Sequence, residues 1–81
     1  MHIVYILLSE IDSKRIYIGL THDLKRRLGQ HNGTLNGGYS KRYAPWRLET
    51  FITFKNKELA QGFESYLKSG SGFAFLKKRF I

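Results

Sequence analysis

Between Ile3 and Leu8 the chain reads Ile-Val-Tyr-Ile-Leu-Leu, six residues with no charged or small polar side chain among them. A strand with one face in water alternates apolar with polar positions. A near-continuous β-branched and aromatic run therefore suits a strand covered on both faces, and the rest of the chain must supply the two covers. At 81 residues it reads as a single domain spanning 1–81, of a size that buries only roughly 60% of its unfolded surface. Its core must be compact, and six Phe, five Tyr and one Trp give it bulk. Cysteine is absent from the sequence, which removes disulfides and thiolate zinc sites as staples. Apolar packing has to hold the fold.

The same run falls far short of the ~20 residues that cross a bilayer. It also lacks the basic flank and small-residue cleavage site of a secretory signal. The expectation is a soluble cytoplasmic protein with no membrane partner. Fourteen Lys and Arg stand against six acidic residues, a net charge of +8, which points to a polyanion such as nucleic acid.

Ser9 to Lys14 is polar and turn-rich, and Arg15 to Leu20 resumes the apolar character, so the two runs read as an antiparallel hairpin. Thr21 can cap the helix that follows, with Asp23 in its first turn at the positive end of the macrodipole. Asn32-Gly33 provides a left-handed stop. On this helix Leu24, Leu28 and His31 fall at i, i+4 and i+7, with Arg27 at i+3. Arg27 and His31 then share one border of the buried stripe, while Lys25 and Arg26 point toward water or a phosphate backbone.

Thr34 to Pro45 reads as a loop, and its Lys41, Arg42 and tyrosines are candidate nucleic-acid contacts. Trp46 to Phe54 forms a third strand, with Trp46, Leu48 and Ile52 expected on one face and Phe51 on the other. Asn56 caps a second helix in which Leu59, Phe63, Tyr66 and Leu67 keep a 3.6-residue period. Ala60, Glu64 and Leu67 occupy the neighbouring strip, with Glu64 at the margin of the apolar face. Ser69-Gly70-Ser71-Gly72 breaks the helix, and Phe73 to Phe80 makes a short last helix with a basic end. The fold class is α+β, a three-stranded antiparallel sheet flanked by helices.

The order of Ile3-Val4-Tyr5, Tyr17-Ile18-Gly19, Arg27 with His31 one turn on, and Glu64 on a later helix resembles the GIY-YIG nuclease family. It is most similar to the small single-domain members related to the N-terminal nuclease domain of the excision-repair C subunit. Tyr43-Ala44-Pro45-Trp46-Arg47-Leu48 and Leu67-Lys68-Ser69-Gly70-Ser71-Gly72 extend the resemblance over essentially the whole chain. It implies a metal-dependent endonuclease that cuts DNA phosphodiester bonds, structure-selective or in DNA repair, using one weakly held Mg²⁺ or Mn²⁺. By position it implies Tyr5 and Tyr17 facing each other across the hairpin, Arg27 entering from the helix, Glu64 as metal ligand, and His31 as a histidine found in part of the family. Two departures stand out. Ile3 and Val4 replace the glycine and isoleucine of the first signature, and no asparagine follows Glu64 where some members have one.

The chemistry calls for such a set on its own terms. Hydrolysing a phosphodiester needs a deprotonated water in line with the leaving oxygen and charge compensation on the phosphoryl oxygens. Arg27 offers planar, permanently charged donors. Either tyrosine serves as base only if its pKa falls well below ~10, which Arg27 and a metal favour. Tyr5 is taken as the base, Tyr17 as the orienting hydroxyl, and His31 as an orienting group or a proton donor to the leaving group.

Bland readings stand beside these: strand aromatics in a core, an Arg27 that snorkels, a Glu64 paired i,i+4 with Lys68, and a His31 serving the helix dipole. A second function class is a non-catalytic nucleic-acid-binding module that keeps the fold, gripping through Lys25, Arg26, Lys41, Arg42, Lys77, Lys78 and Arg79. The expected partner is DNA, with RNA left open. The chain is expected to act as a monomer or weak homodimer, with a targeting protein as one source of specificity.

Overall fold

The computed structural model describes residues 1–33 and 42–81. Its elements run β1 (His2–Ser9), β2 (Ile16–Thr21), α1 (Leu24–Asn32), β3 (Trp46–Phe54), α2 (Lys57–Lys68) and α3 (Gly70–Arg79). The three strands form one sheet in the order β2-β1-β3, with both pairings antiparallel. The apolar run thus became the central strand, and Val4 to Leu8 are buried whichever face they point to.

Each face has its own cover. Val4, Ile6 and Ile18 pack against Ala60 and Leu67 of α2 and Leu76 of α3. On the other face Tyr5, Leu7 and Trp46 pack with Leu24 and Leu28 of α1 and with Leu48 and Tyr17. Ile6, Leu7, Leu67 and Leu76 are fully buried, and each contributes about 1.5–3 kcal/mol by leaving water. Among the described residues no buried side-chain nitrogen or oxygen lacks a hydrogen-bond partner.

The third strand departs from its expected faces. The β1–β3 register shifts between Ile6 and Leu7, so that Ile6 pairs with Thr50 while Leu7 pairs with Leu48. Glu49 is the extra residue of a β-bulge, and one extra residue reverses the side to which every later side chain points. Trp46 and Leu48 therefore share the α1 face with Phe51. Ile52, opposite Val4, lies on the α2–α3 face. Two-residue alternation had grouped Ile52 with Trp46.

The helix ends depart from expectation at α1 and agree with it at the start of α2. Asp23, not Thr21, is the N-cap of α1, its carboxylate accepting from Arg26 N at 3.1 Å. Thr21 instead holds the turn before it, its hydroxyl accepting from Asp23 N. Gly33 closes α1 with φ −88° and ψ 173°, extended rather than left-handed. Asn56 caps α2 as expected, accepting from the N–H groups of Glu58 and Leu59. On α2, Ala60 and Leu67 are buried, whereas Leu59 and Tyr66 are 64% and 42% exposed. The buried stripe is the Ala60–Glu64–Leu67 strip, with Phe63 packed at its edge.

The break after α2 is a single residue. Ser69 ends α2 and caps α3 through Gly72 N, so Ser71 and Gly72 lie inside the last helix. Gly72 is required there, because a Cβ would fall within the van der Waals radius of the Tyr66 carbonyl. The two helices turn against each other at that point.

The stretch before β3 is tied to the hairpin. Ser9 Oγ donates to the Tyr43 carbonyl and accepts from the N–H groups of Ile11 and Asp12, both at 3.2 Å. Glu10 N donates to the Pro45 carbonyl at 2.9 Å, next to a cis Ala44–Pro45 bond.

Candidate active site

Tyr5 is the centre of the site, and its position follows from the sheet. It sits mid-strand in β1, flanked by Gly19 on β2 and Phe51 on β3. Gly19 has no side chain, so the Tyr5 ring lies over its backbone. A Cβ there would collide with the hydroxyl and Cζ of Tyr5. Close packing is thus the role of this glycine.

From α1, His31 and Arg27 reach the same oxygen. Tyr5 Oη lies 2.9 Å from His31 Nε2, and Arg27 Nε donates to it at 3.4 Å. Arginine only donates, so the phenol oxygen is the acceptor toward Arg27; it donates to His31 Nε2 in the tautomer that carries the imidazole proton on Nδ1. Tyr17, two pairs further along the hairpin opposite Leu7, stacks on Tyr5 with ring centroids 6.3 Å apart at 20°. It meets His31 edge-on at 4.3 Å. The sequence-based grouping of Arg27 with His31 on one helical border is what the structure shows.

The electrostatics are set by burial against one cation. Burial pushes the Tyr5 hydroxyl above its ordinary value of 10.0, and the hydrogen bond from Arg27 opposes this without cancelling it. The protein's own residues therefore do not give the depressed Tyr5 that a base in its resting state needs. Hydrogen bonding to Tyr5 raises Arg27 further, keeping it a fixed charge. Burial, then the positive Arg27, lower His31 from 6.5, so a neutral imidazole faces the phenol at neutral pH.

Glu64 comes to the site from a different helix, and its charge acts on the Tyr5 hydroxyl. It projects from α2, which covers the opposite face of the sheet, and its Oε2 accepts from Lys68 Nζ at 3.3 Å. Its charge reaches Tyr5 through space, as the smallest influence on the hydroxyl. Among the described residues no three His, Asp or Glu side chains converge on one point. The donor set fits a hard divalent cation held through one carboxylate, with waters and a substrate phosphate as the remaining ligands. It does not fit a cage made by the protein alone.

Among the described residues, the basic side chains expected to grip nucleic acid are divided between the two sides of the sheet. Lys25 and Arg26 are exposed on α1, beside the Tyr5 cluster, whereas Lys77, Lys78 and Arg79 end α3 on the other side of the sheet. Arg42 is exposed with its guanidinium 5.6 Å from the Tyr43 ring centroid. Lys41 lies outside the described residues. His22 is exposed and His2 half-buried.

Two supporting residues escaped the sequence reading. Gln30 accepts from Arg27 Nη1 at 3.2 Å, a contact that their i,i+3 spacing could have suggested. The Asn32 side chain brackets the backbone of Trp46, donating to its carbonyl at 3.1 Å and accepting from its N–H. It pins the end of α1 to the start of β3, and only the folded chain brings those two positions together.

A paired-tyrosine hairpin with an arginine and a histidine delivered by the next helix defines a nuclease-type site on a small α+β sheet. The profile described as the GIY-YIG catalytic domain matches residues 1–78, and the chain belongs to that family. The Clostridium perfringens UPF0213 protein CPE1444 is 37% identical over 68 residues, covering 84% of this chain and 71% of that one. The structure-specific endonuclease subunit slx1 of Schizosaccharomyces japonicus is 45% identical over 64 residues, covering 74% of this chain but 23% of its own length. The chain thus spans under a quarter of that relative. The solution NMR structure of the UPF0213 protein BH0048 from Bacillus halodurans superposes with a TM-score of 0.56 at 30% identity, covering 95% of this chain and 82% of that one. Nuclease family and fold agree with the reading from sequence.

Proposed function

We propose that this chain is a divalent-metal-dependent endonuclease that hydrolyses DNA phosphodiester bonds and selects its substrate by structure. The observation that carries the reading is the Tyr5 hydroxyl, buried between a fixed cation and a neutral imidazole. A water in line with the phosphate gives its proton to Tyr5 Oη as Tyr5 passes its own proton to His31 Nε2. The new oxygen–phosphorus bond forms while the bond to the leaving oxygen breaks. This relay lets a phenol act as base without a depressed resting pKa, because the imidazole carries the proton. Arg27, whose Nη1 is steadied by Gln30, bonds the phosphoryl oxygens as charge accumulates there. Tyr17 fixes the His31 ring. Mg²⁺ or Mn²⁺ held by Glu64 would neutralise phosphate charge and acidify a bound water.

The relatives called structure-specific endonuclease subunits support selection by substrate structure and a partner protein. The test is cleavage of linear, flapped and branched DNAs with Mg²⁺ or Mn²⁺, with Glu64→Ala and Arg27→Ala alongside. The parent cuts and both variants lose cutting; equal cutting by parent and variants overturns the assignment.

The Lys68 partner of Glu64 and the raised Tyr5 favour a second reading, a module that binds nucleic acid without cutting. Salt-sensitive DNA binding with no cleavage under any divalent metal would establish it.

A further inference from the structure

The β-bulge has a chemical consequence. By returning the end of β3 to the α1 face, it puts Phe51 directly across from Tyr5, where opposed Cβ atoms stand about 4.5–5.5 Å apart. Gly19, Tyr5 and Phe51 thus form one row across the sheet. The cover from α1 extends over Tyr5, Leu7, Leu48 and Trp46 and stops short of Phe51, which is 49% exposed beside a fully buried Tyr5. The exposed rings of Tyr66 and Phe75 lean on neighbouring rings, whereas Phe73 on α3, across the sheet, stands without a ring contact among the described residues. Phe51 has no ring contact and no cation over its face among the described residues.

Single exposed apolar side chains are ordinary on protein surfaces. This one is a flat aromatic on the face that carries Arg27, Lys25 and Arg26, next to the residue on which the proposed chemistry turns. The Tyr5 hydroxyl that Arg27 bonds lies over Gly19 on β2, and Phe51 is on β3, two strand spacings or ~10 Å across the sheet, a span that a nucleotide next to a phosphate at Arg27 would have to bridge. Rings beside cationic side chains are the usual platform for unpaired bases, because every base offers a π-face. In a duplex the bases are stacked on one another and unavailable.

We propose that Phe51 is a stacking platform for an unpaired base adjoining the phosphate held at Arg27. The proposal rests on the nuclease reading and deepens it, making Phe51 a residue that selects DNA with an unpaired nucleotide at the site over continuous duplex.

The test is binding without divalent metal, using a flapped DNA with 2-aminopurine at the unpaired position next to the junction and a fully paired duplex as control. Parent protein and Phe51→Tyr quench the 2-aminopurine fluorescence on binding. Phe51→Leu loses the quenching and binds the flapped DNA about ten-fold more weakly, with duplex affinity within about two-fold of the parent. Should Phe51→Leu melt early, Phe51→Thr replaces it, a strand-forming residue like its neighbour Thr53. Unchanged quenching and affinity in the variant, or an equal loss on flap and duplex, overturns the stacking role while leaving the nuclease reading intact. Failure of the parent to bind either DNA overturns both.

Discussion

Gly19 lies directly beneath the Tyr5 hydroxyl, and the site has its shape because nothing projects from that position. Adding one methyl there forces a fully buried ring to move in a packed core. Overpacking of this kind costs about 1–3 kcal/mol. Gly19→Ala is expected to lower thermal stability by that amount and to break the 2.9 Å contact between Tyr5 and His31. Nuclease activity should then fall well beyond what the lost stability explains, measured at a temperature where the variant is still folded. Full activity in folded Gly19→Ala would show that the hydroxyl position is unimportant.

Glu64 and Lys68 separate the two functional readings. Their pair is partly solvent-exposed, with side-chain exposures of 22% and 54%, and such pairs contribute about 0–1 kcal/mol. Lys68→Ala should therefore change the melting midpoint little and leave cleavage intact or improved, since the carboxylate is freed. Glu64→Gln keeps size and removes the charge, and should abolish metal-supported cleavage with equally little effect on melting. If Lys68→Ala destroys activity as completely as Glu64→Gln, the carboxylate acts through its ion pair and not as a cation ligand.

Much of the site was legible because helical and strand periods are local. Tyr5 and Tyr17 lie on runs whose apolarity announces strands, and the spacing of Leu24, Arg27, Leu28 and His31 places two polar groups on one border. The family resemblance connected those pieces to Glu64 across the intervening sequence. The bulge at Glu49 was hidden, since an extra residue leaves no mark in a pattern of alternating side chains. Strict alternation accordingly puts Ile52 and Phe51, the residue proposed to stack a base, on the wrong faces. The raised Tyr5 was hidden too, because desolvation depends on how deeply the ring is packed. The apolar run implies a covered strand and the family resemblance brings Arg27 to it, but neither says that desolvation outweighs the cation. Asp23 and Thr21 are both good capping residues, and only the backbone geometry at the end of β2 decides between them.

The division of basic residues between the two sides of the sheet predicts unequal roles. Lys25→Glu and Arg26→Glu, on the site's own helix, should weaken binding of duplex DNA, and each neutralised contact should reduce the slope of log affinity against log salt by about one. Lys78→Glu, at the end of α3, changes the net charge identically and should reduce affinity less. Titrations at several salt concentrations measure both quantities. Equal losses from α1 and α3 would mean that only overall charge matters, and that DNA does not lie across the α1 face.

His31 couples stability to pH, and the sign follows from its surroundings. Burial and Arg27 disfavour its cation in the folded chain, holding it below 6.5, while in the unfolded chain it titrates near about 6.5. Between those two values the unfolded state binds more protons, so stability falls as pH drops through about 6.5 and levels off below the folded value. Above about 6.5 this histidine contributes no slope. Tyr5 acts at the opposite end: its raised hydroxyl retains a proton that the unfolded chain loses near pH 10, so stability falls again as pH rises beyond that point. Urea unfolding of the parent and of His31→Gln between pH 5 and 8 isolates the histidine, since every other group titrates in both proteins. The parent should lose stability toward pH 5 more steeply than the variant. The same proton balance predicts that cleavage by the parent decays on that acid limb, because a protonated imidazole cannot take the proton of Tyr5. Parallel stability curves for the two proteins would mean that His31 is not held neutral, and the relay from Tyr5 would fail with it.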